Sequence, residues 1–96
     1  MKIAIYPGSY DPITNGHLDI IERSSSLFDK IIVAVARNAE KSSALFSESE
    51  RITMINQSIS HLKNVEVDSF NGLLVNYAVE KNSNGIIRGL RALSDF

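Results

Sequence analysis

Short apolar runs alternate with helical segments along this chain, and that alternation constrains its fold more than any other feature. Lys2 to Tyr6 is one such run, broken by Pro7 and Gly8, and Lys30 to Ala36 is another, carrying Ile31, Ile32, Val33 and Val35 in sequence. Runs this short, β-branched and without polar alternation fit strands covered on both faces better than amphipathic helices. Val65, Val67 and Phe70 alternate with Glu66 and Ser69 as a third strand, and Ile86 and Ile87 form a fourth that stops at Arg88 and Gly89. Between the first two, Asp11 to Thr14 make a turn, after which Leu18, Ile20, Ile21 and Leu27 recur at roughly helical spacing up to Phe28. Thr14 is the N-cap of that helix. Ser47 and Glu50 form a capping box ahead of the stripe Ile52, Ile55, Ile59 and Leu62. Leu73 to Lys81 is a third helix, with Leu74, Tyr77 and Ala78 as its buried face. Arg37 to Phe46 is polar and aperiodic, a loop longer than structure alone needs.

The resulting order, β-α-β-α-β-α-β, is that of an α/β protein: a Rossmann-like open parallel sheet with helices on both faces. With 96 residues and 10.6 kDa, the chain is expected to form one domain over residues 1–96 and no second core. In open sheets of this kind ligands bind beyond the carboxyl ends of the strands, at the point where strand order reverses. Function is therefore sought in the loops after strands one, two and four.

Composition narrows what those loops can do. The chain has no Cys, which excludes a disulfide scaffold, a thiolate nucleophile and a Cys-ligated metal. Ten Lys and Arg against eleven Asp and Glu give a net charge of -1, too balanced for a broad nucleic-acid face. The longest apolar run, Ile31 to Ala36, is far too short to span a bilayer. The expectation is a soluble cytoplasmic protein with no nucleic-acid or membrane partner and a local anion site.

The first loop reads Gly8-Ser9-Tyr10-Asp11-Pro12-Ile13-Thr14-Asn15-Gly16-His17. Two glycines let backbone approach a ligand closely, and the helix start offers N–H groups and a dipole to an anion. The spacing matches neither the dinucleotide nor the P-loop fingerprint. On these residues alone two readings stand: a phosphate cradle, or glycines serving a tight turn beside a partly buried histidine. At His17 the helix dipole favours a neutral ring, whereas a bound polyphosphate would favour the cation. Asp11 is read as an Asx-type turn residue, His61 as a surface cap, and Glu48, Glu50 and Arg51 as a solvated helix start. Asp11, Asp19, Glu22 and Glu80 share no metal-ligand spacing, so no metal is assigned to side chains.

The segment Gly8 to His17 resembles the signature of the nucleotidylyltransferase superfamily, with its T/HxGH motif at Thr14-Asn15-Gly16-His17. Together with Tyr6-Pro7-Gly8, Asn64-Val65-Glu66-Val67, Ile87-Arg88-Gly89-Leu90-Arg91-Ala92 and Asp95-Phe96, it is similar to the bacterial phosphopantetheine adenylyltransferase family along the whole chain. Ser9 stands where that family also accepts Thr, and Tyr10 where Phe is common. The resemblance implies adenylyl transfer from ATP to 4'-phosphopantetheine, giving dephospho-coenzyme A and pyrophosphate, with Mg²⁺ held mainly by the ATP phosphates and a hexameric assembly. It implies His17 as the catalytic residue and Ser9, Tyr10, His17, Gly89, Leu90 and Arg91 at ATP. Ser9, Lys41, Leu74 and Arg88 are implied at the acceptor.

Family members continue past Asp95-Phe96. The resemblance thus implies a sheet cut after its fourth strand, lacking a fifth strand, a Glu and a Ser-rich segment that wraps the ATP phosphates. Two other readings stay open: a nucleotidylyltransferase with a different small-molecule acceptor, and an inactive nucleotide-binding or interaction fragment.

Overall fold

The structure, a computed structural model, describes residues 1–37 and 44–88. Its elements in chain order are β1 (Ile3–Gly8), α1 (Asn15–Ser25), β2 (Lys30–Ala36), α2 (Glu48–Ile59), β3 (Val65–Phe70), α3 (Leu74–Glu80) and β4 (Gly85–Ile86). The four strands form one sheet in the order β3-β2-β1-β4, and every pair is parallel. The chain thus walks outward from β1 to β3 and returns to the far side of β1. The β1/β4 junction is therefore the switch point.

The apolar run of β2 explains why both sheet faces are covered. Ile31, Val33 and Val35 point to one face, where they join Tyr6, Ile21 of α1, and Ile55 and Ile59 of α2. Ile32 and Ala34 point to the other, against Ile5, Phe70 and Tyr77 of α3. Residues 31, 33 and 35 are fully buried, each such side chain contributing about 1.5–3 kcal/mol. On α3 the expected face turns inward: Tyr77 is buried and Leu74 and Ala78 pack beside it, while Val75 and Val79 face out. The Tyr77 hydroxyl donates to Asp68 Oδ2 at 2.6 Å and Lys81 Nζ lies 3.5 Å from the same oxygen. Burial pushes the Asp68 carboxyl up, but the Tyr77 hydroxyl, the Ser69 N–H and Lys81 outweigh it and hold it below the usual carboxylate range.

Three local expectations are corrected. β1 does not stop at Tyr6 but runs through Pro7 and Gly8, in register with Ala34 and Val35. The carbonyls of Ile3 and Ile5 accept from Asn84 and Ile87, so odd-numbered residues of β1 turn their polar groups toward β4. Among the described residues that ladder pairs Ala4 and Ile5 of β1 and does not extend to Pro7, which has no N–H to offer on that side. The second correction is Leu27, which is 66% exposed. α1 ends at Ser25, so Leu27 lies past the helix end; Asn64 secures this end, its side-chain amide donating to the carbonyls of Ser25 and Phe28. The third is β4, which covers Gly85–Ile86 rather than Ile86 and Ile87, although the Ile87 N–H still donates to Ile5 at 2.8 Å.

Candidate active site

Parallel strands deliver their following loops to one edge of the sheet. The β1–α1 loop, the entries to α2 and α3, and Arg88 beyond β4 therefore share the carboxyl-terminal edge. Of the residues singled out in the sequence, Ser9, Tyr10, His17, Leu74 and Arg88 are placed there. Lys41, Gly89, Leu90 and Arg91 lie outside the described residues.

Thr14 caps α1 as expected, its side chain accepting from the His17 N–H at 3.3 Å. The partner in the capping box is His17 itself, at the position where Glu or Gln usually reaches back. The Thr14 N–H donates to His17 Nδ1 at 3.0 Å. A backbone N–H can only donate, so Nδ1 must carry a lone pair, and the neutral ring then holds its proton on Nε2. The cap thus leaves His17 with one ring N–H donor, at Nε2. The rings of Tyr10 and Tyr6 lie against the imidazole at centroid distances of 4.8 and 6.1 Å.

Burial lowers the His17 pKa from its ordinary 6.5. Protonation would also convert Nδ1 to a donor facing the Thr14 N–H. The unfolded chain therefore binds this proton before the folded chain does. The stability given by the capped ring is complete above pH 6.5 and is lost as pH falls below it through the folded value. The thermal midpoint of the native protein should drop more steeply below pH 6.5 than that of His17→Gln, which keeps a neutral acceptor; parallel curves would contradict the locked ring.

The side chain of Tyr10 is turned into the core. It is 2% exposed, its hydroxyl donating to the Tyr6 carbonyl at 2.7 Å. Burial, reinforced by neighbouring Tyr6, pushes that hydroxyl far above its ordinary pKa. The backbone of Tyr10 adopts φ +48°. Ser9 is exposed. Leu74 opens α3 with its side chain packed against the Phe70 and Tyr77 cluster, and Arg88 is exposed.

The two glycines of the loop have different reasons. A Cβ on Gly8 would come within 3.1 Å of the Tyr10 ring, tighter than an ordinary contact, so the buried ring would have to give way by a few tenths of an ångström. On Gly16 it would meet only Thr14 Oγ1 at 3.6 Å, an ordinary contact, and the residue is helical. Nothing within the described chain requires glycine at position 16.

Two residues read as unremarkable do more. Asp11 is not an Asx-type turn residue: its carboxylate accepts from the Leu45 and Phe46 N–H groups at 2.7 and 2.8 Å. Arg51 is not merely solvated, for its Nη1 donates to the Ser9 carbonyl at 2.8 Å. Neither contact has a local sequence signal, since each spans more than thirty residues. His61, expected as a surface cap, follows the Ser60 C-cap of α2 and pairs with Glu22 of α1 across the surface at 2.7 Å. Among the described residues no three of His, Cys, Asp and Glu converge as metal ligands, and no helix is long and apolar enough to cross a membrane. An open groove of about 310 Å³ on α2, lined by Phe46, Ser49, Glu50, Thr53 and Met54, contains none of the candidate residues.

The histidine-capped start of α1 thus stands at the switch point of a parallel α/β sheet. Residues 5–96 match the family described as Cytidylyltransferase-like, and the chain belongs to that family. It is similar over all 96 residues to phosphopantetheine adenylyltransferase of Syntrophomonas wolfei subsp. wolfei, at 58% identity, and spans 59% of that relative's length. Among solved structures it resembles the lipopolysaccharide core biosynthesis protein of Thermoplasma volcanium, with TM-score 0.67 and 24% identity over 90% of this chain and 72% of that one. It also resembles a bifunctional NMN adenylyltransferase/ADP ribose pyrophosphatase of Francisella tularensis, with TM-score 0.63 and 22% identity over 83% of this chain and 25% of that one. These two likenesses establish the fold.

Proposed function

We propose that the protein transfers the adenylyl group of ATP to 4'-phosphopantetheine, forming dephospho-coenzyme A and pyrophosphate. The observation that carries this reading is His17, a neutral ring whose cap holds Nδ1 as an acceptor and leaves Nε2–H as a donor at the switch point. The similarity to relatives named phosphopantetheine adenylyltransferase supplies the substrates.

An oxygen of the acceptor phosphate attacks the α-phosphorus in line. A new P–O bond forms there as the bond to the bridging oxygen of the β-phosphate breaks, and pyrophosphate leaves with that electron pair. No covalent enzyme intermediate is needed, so catalysis rests on positioning and on neutralising charge. The Nε2–H of His17 donates to an α-phosphate oxygen, where charge builds in the transition state. The Ser9 hydroxyl and the Tyr10 backbone meet the phosphates, with Gly89, Leu90 and Arg91 lining the ATP site. Lys41 and Arg88 grip the acceptor phosphate, and the backbone at Leu74 meets the pantetheine arm. The guanidinium of Arg88 suits a planar, two-point grip on phosphate. Magnesium would enter with the triphosphate and offset its charge; among the described residues no three of His, Cys, Asp and Glu converge to hold it.

Gly16 separates this reading from a purely structural one. Ala is favoured over Gly within a helix by up to roughly 0.5–1 kcal/mol, and the space for its methyl group exists. Gly16→Ala should therefore be as stable as the native chain or more so, yet bind ATP at least tenfold more weakly, because the methyl group occupies the approach of the phosphates. Titration calorimetry with ATP and a thermal melt test both halves. Undiminished ATP binding in the variant, or ATP binding absent from the native protein, would count against the proposal.

A further inference from the structure

The contacts of Asp11 and Arg51 join two stretches of chain that sequence keeps far apart. On one side is the β1–α1 loop at Ser9 to Asp11, just ahead of the His17 cap. On the other is the entry to α2, at Leu45 to Arg51. Asp11 extends from the first stretch and takes the N–H groups of Leu45 and Phe46, one on each carboxylate oxygen. Arg51 extends from the second and gives Nη1 to the Ser9 carbonyl, while its Nε reaches the Ser47 carbonyl at 3.4 Å. Each stretch thus supplies one charged side chain and receives the other on its backbone.

We infer that Asp11 and Arg51 form a reciprocal clasp that positions the Ser9–Tyr10 peptide and the His17 cap for adenylyl transfer; this inference rests on the function proposed above. Both are positioning residues, for neither is assigned a contact with substrate.

Three observations carry it. Hydrogen bonds to a charged group are about twice as strong as neutral ones, and three of them here lie between 2.7 and 2.8 Å. A trans peptide is planar with its C=O and N–H opposed, so holding the Ser9 carbonyl toward α2 aims the Tyr10 N–H the other way. Tyr10 itself has φ +48°, a conformation that a non-glycine residue keeps only when its surroundings enforce it. Its buried ring enforces part of this geometry, and Arg51 holds the peptide on its amino-terminal side. The same clasp fixes the Leu45 end of the stretch from Arg37, and the Arg37 end is fixed by an ion pair to Glu48 at 3.0 Å. Arg37 and Leu45 are therefore both tied to the elements that hold Ser9.

The test uses Arg51→Ala, Asp11→Ala, their combination, and Arg51→Lys. Each single alanine variant should lower kcat roughly 10- to 100-fold, the scale set by sub-ångström misplacement of reacting groups, with KM for ATP changed less than threefold. The double variant should lose little more than either single one, since breaking one half of a clasp disables the other. Arg51→Lys, which keeps a donor for the Ser9 carbonyl, should recover most of the rate. A second readout does not depend on activity: the amide protons of Leu45 and Phe46 should exchange faster in Arg51→Ala as well as in Asp11→Ala. A native rate in the folded variants, fully multiplicative losses, or Leu45 and Phe46 exchange unchanged in Arg51→Ala would overturn the clasp. If the native protein shows no transfer, the function proposed above fails, and the exchange experiment alone decides whether the clasp exists.

Discussion

Replacing His17 with Ala is expected to cut turnover by about 10²–10³, the usual cost of removing one donor aimed at developing charge, while ATP affinity changes only a few-fold. The same substitution removes the acceptor for the Thr14 N–H, so a stability loss of about 1 kcal/mol, typical of a broken N-cap, should accompany it. His17→Glu separates the two effects. Glu at this helical position accepts the same N–H and suits the helix dipole, so its melt should return to the native value while turnover stays lost. Single-turnover kinetics and thermal melts on the two variants decide the matter. A His17→Glu protein that regains transfer would mean the histidine serves only as a cap.

The second large effect is structural. Ile55 is fully buried and seats α2, and with it the clasp, against the sheet. Ile55→Ala should destabilise the fold by about 2–5 kcal/mol, from lost burial and the cavity left behind, lowering the melting midpoint by roughly 10–30 °C in a domain of this size. Leu27→Ala, removing a side chain that faces solvent, should stay within about 0.5 kcal/mol of native. Denaturant unfolding followed by circular dichroism compares them. Equal losses would show that the burial pattern is wrong.

That contrast also shows where sequence reading works and where it stops. The strands were legible because a sheet covered on both faces needs consecutive apolar residues, and Ile31 to Val35 can satisfy nothing else. The stripe Ile52, Ile55 and Ile59 was legible because a helix repeats its buried face every three or four residues. Leu27 failed for the same reason: it fits the period but lies past the helix end, and the end is set by Asn64, thirty-seven residues on. Pro7 was read as a break because sequence does not reveal which side of a strand an N–H faces.

At the site, the Thr14 cap was legible from cap chemistry. The bond that sets the tautomer of His17 was not, since histidine is an unusual capping-box partner. The burial of Tyr10, the reach of Asp11 and the reach of Arg51 depend on which loops the sheet brings together. Those contacts are made in three dimensions, and no spacing along the chain encodes them.

The most direct measurement is product formation. With ATP and 4'-phosphopantetheine, the protein should release pyrophosphate and dephospho-coenzyme A in equal amounts, dependent on both substrates, and His17→Glu should abolish both at an unchanged melting temperature. Pyrophosphate without dephospho-coenzyme A, transfer to a different acceptor in preference, or no turnover by the folded native protein would contradict the account.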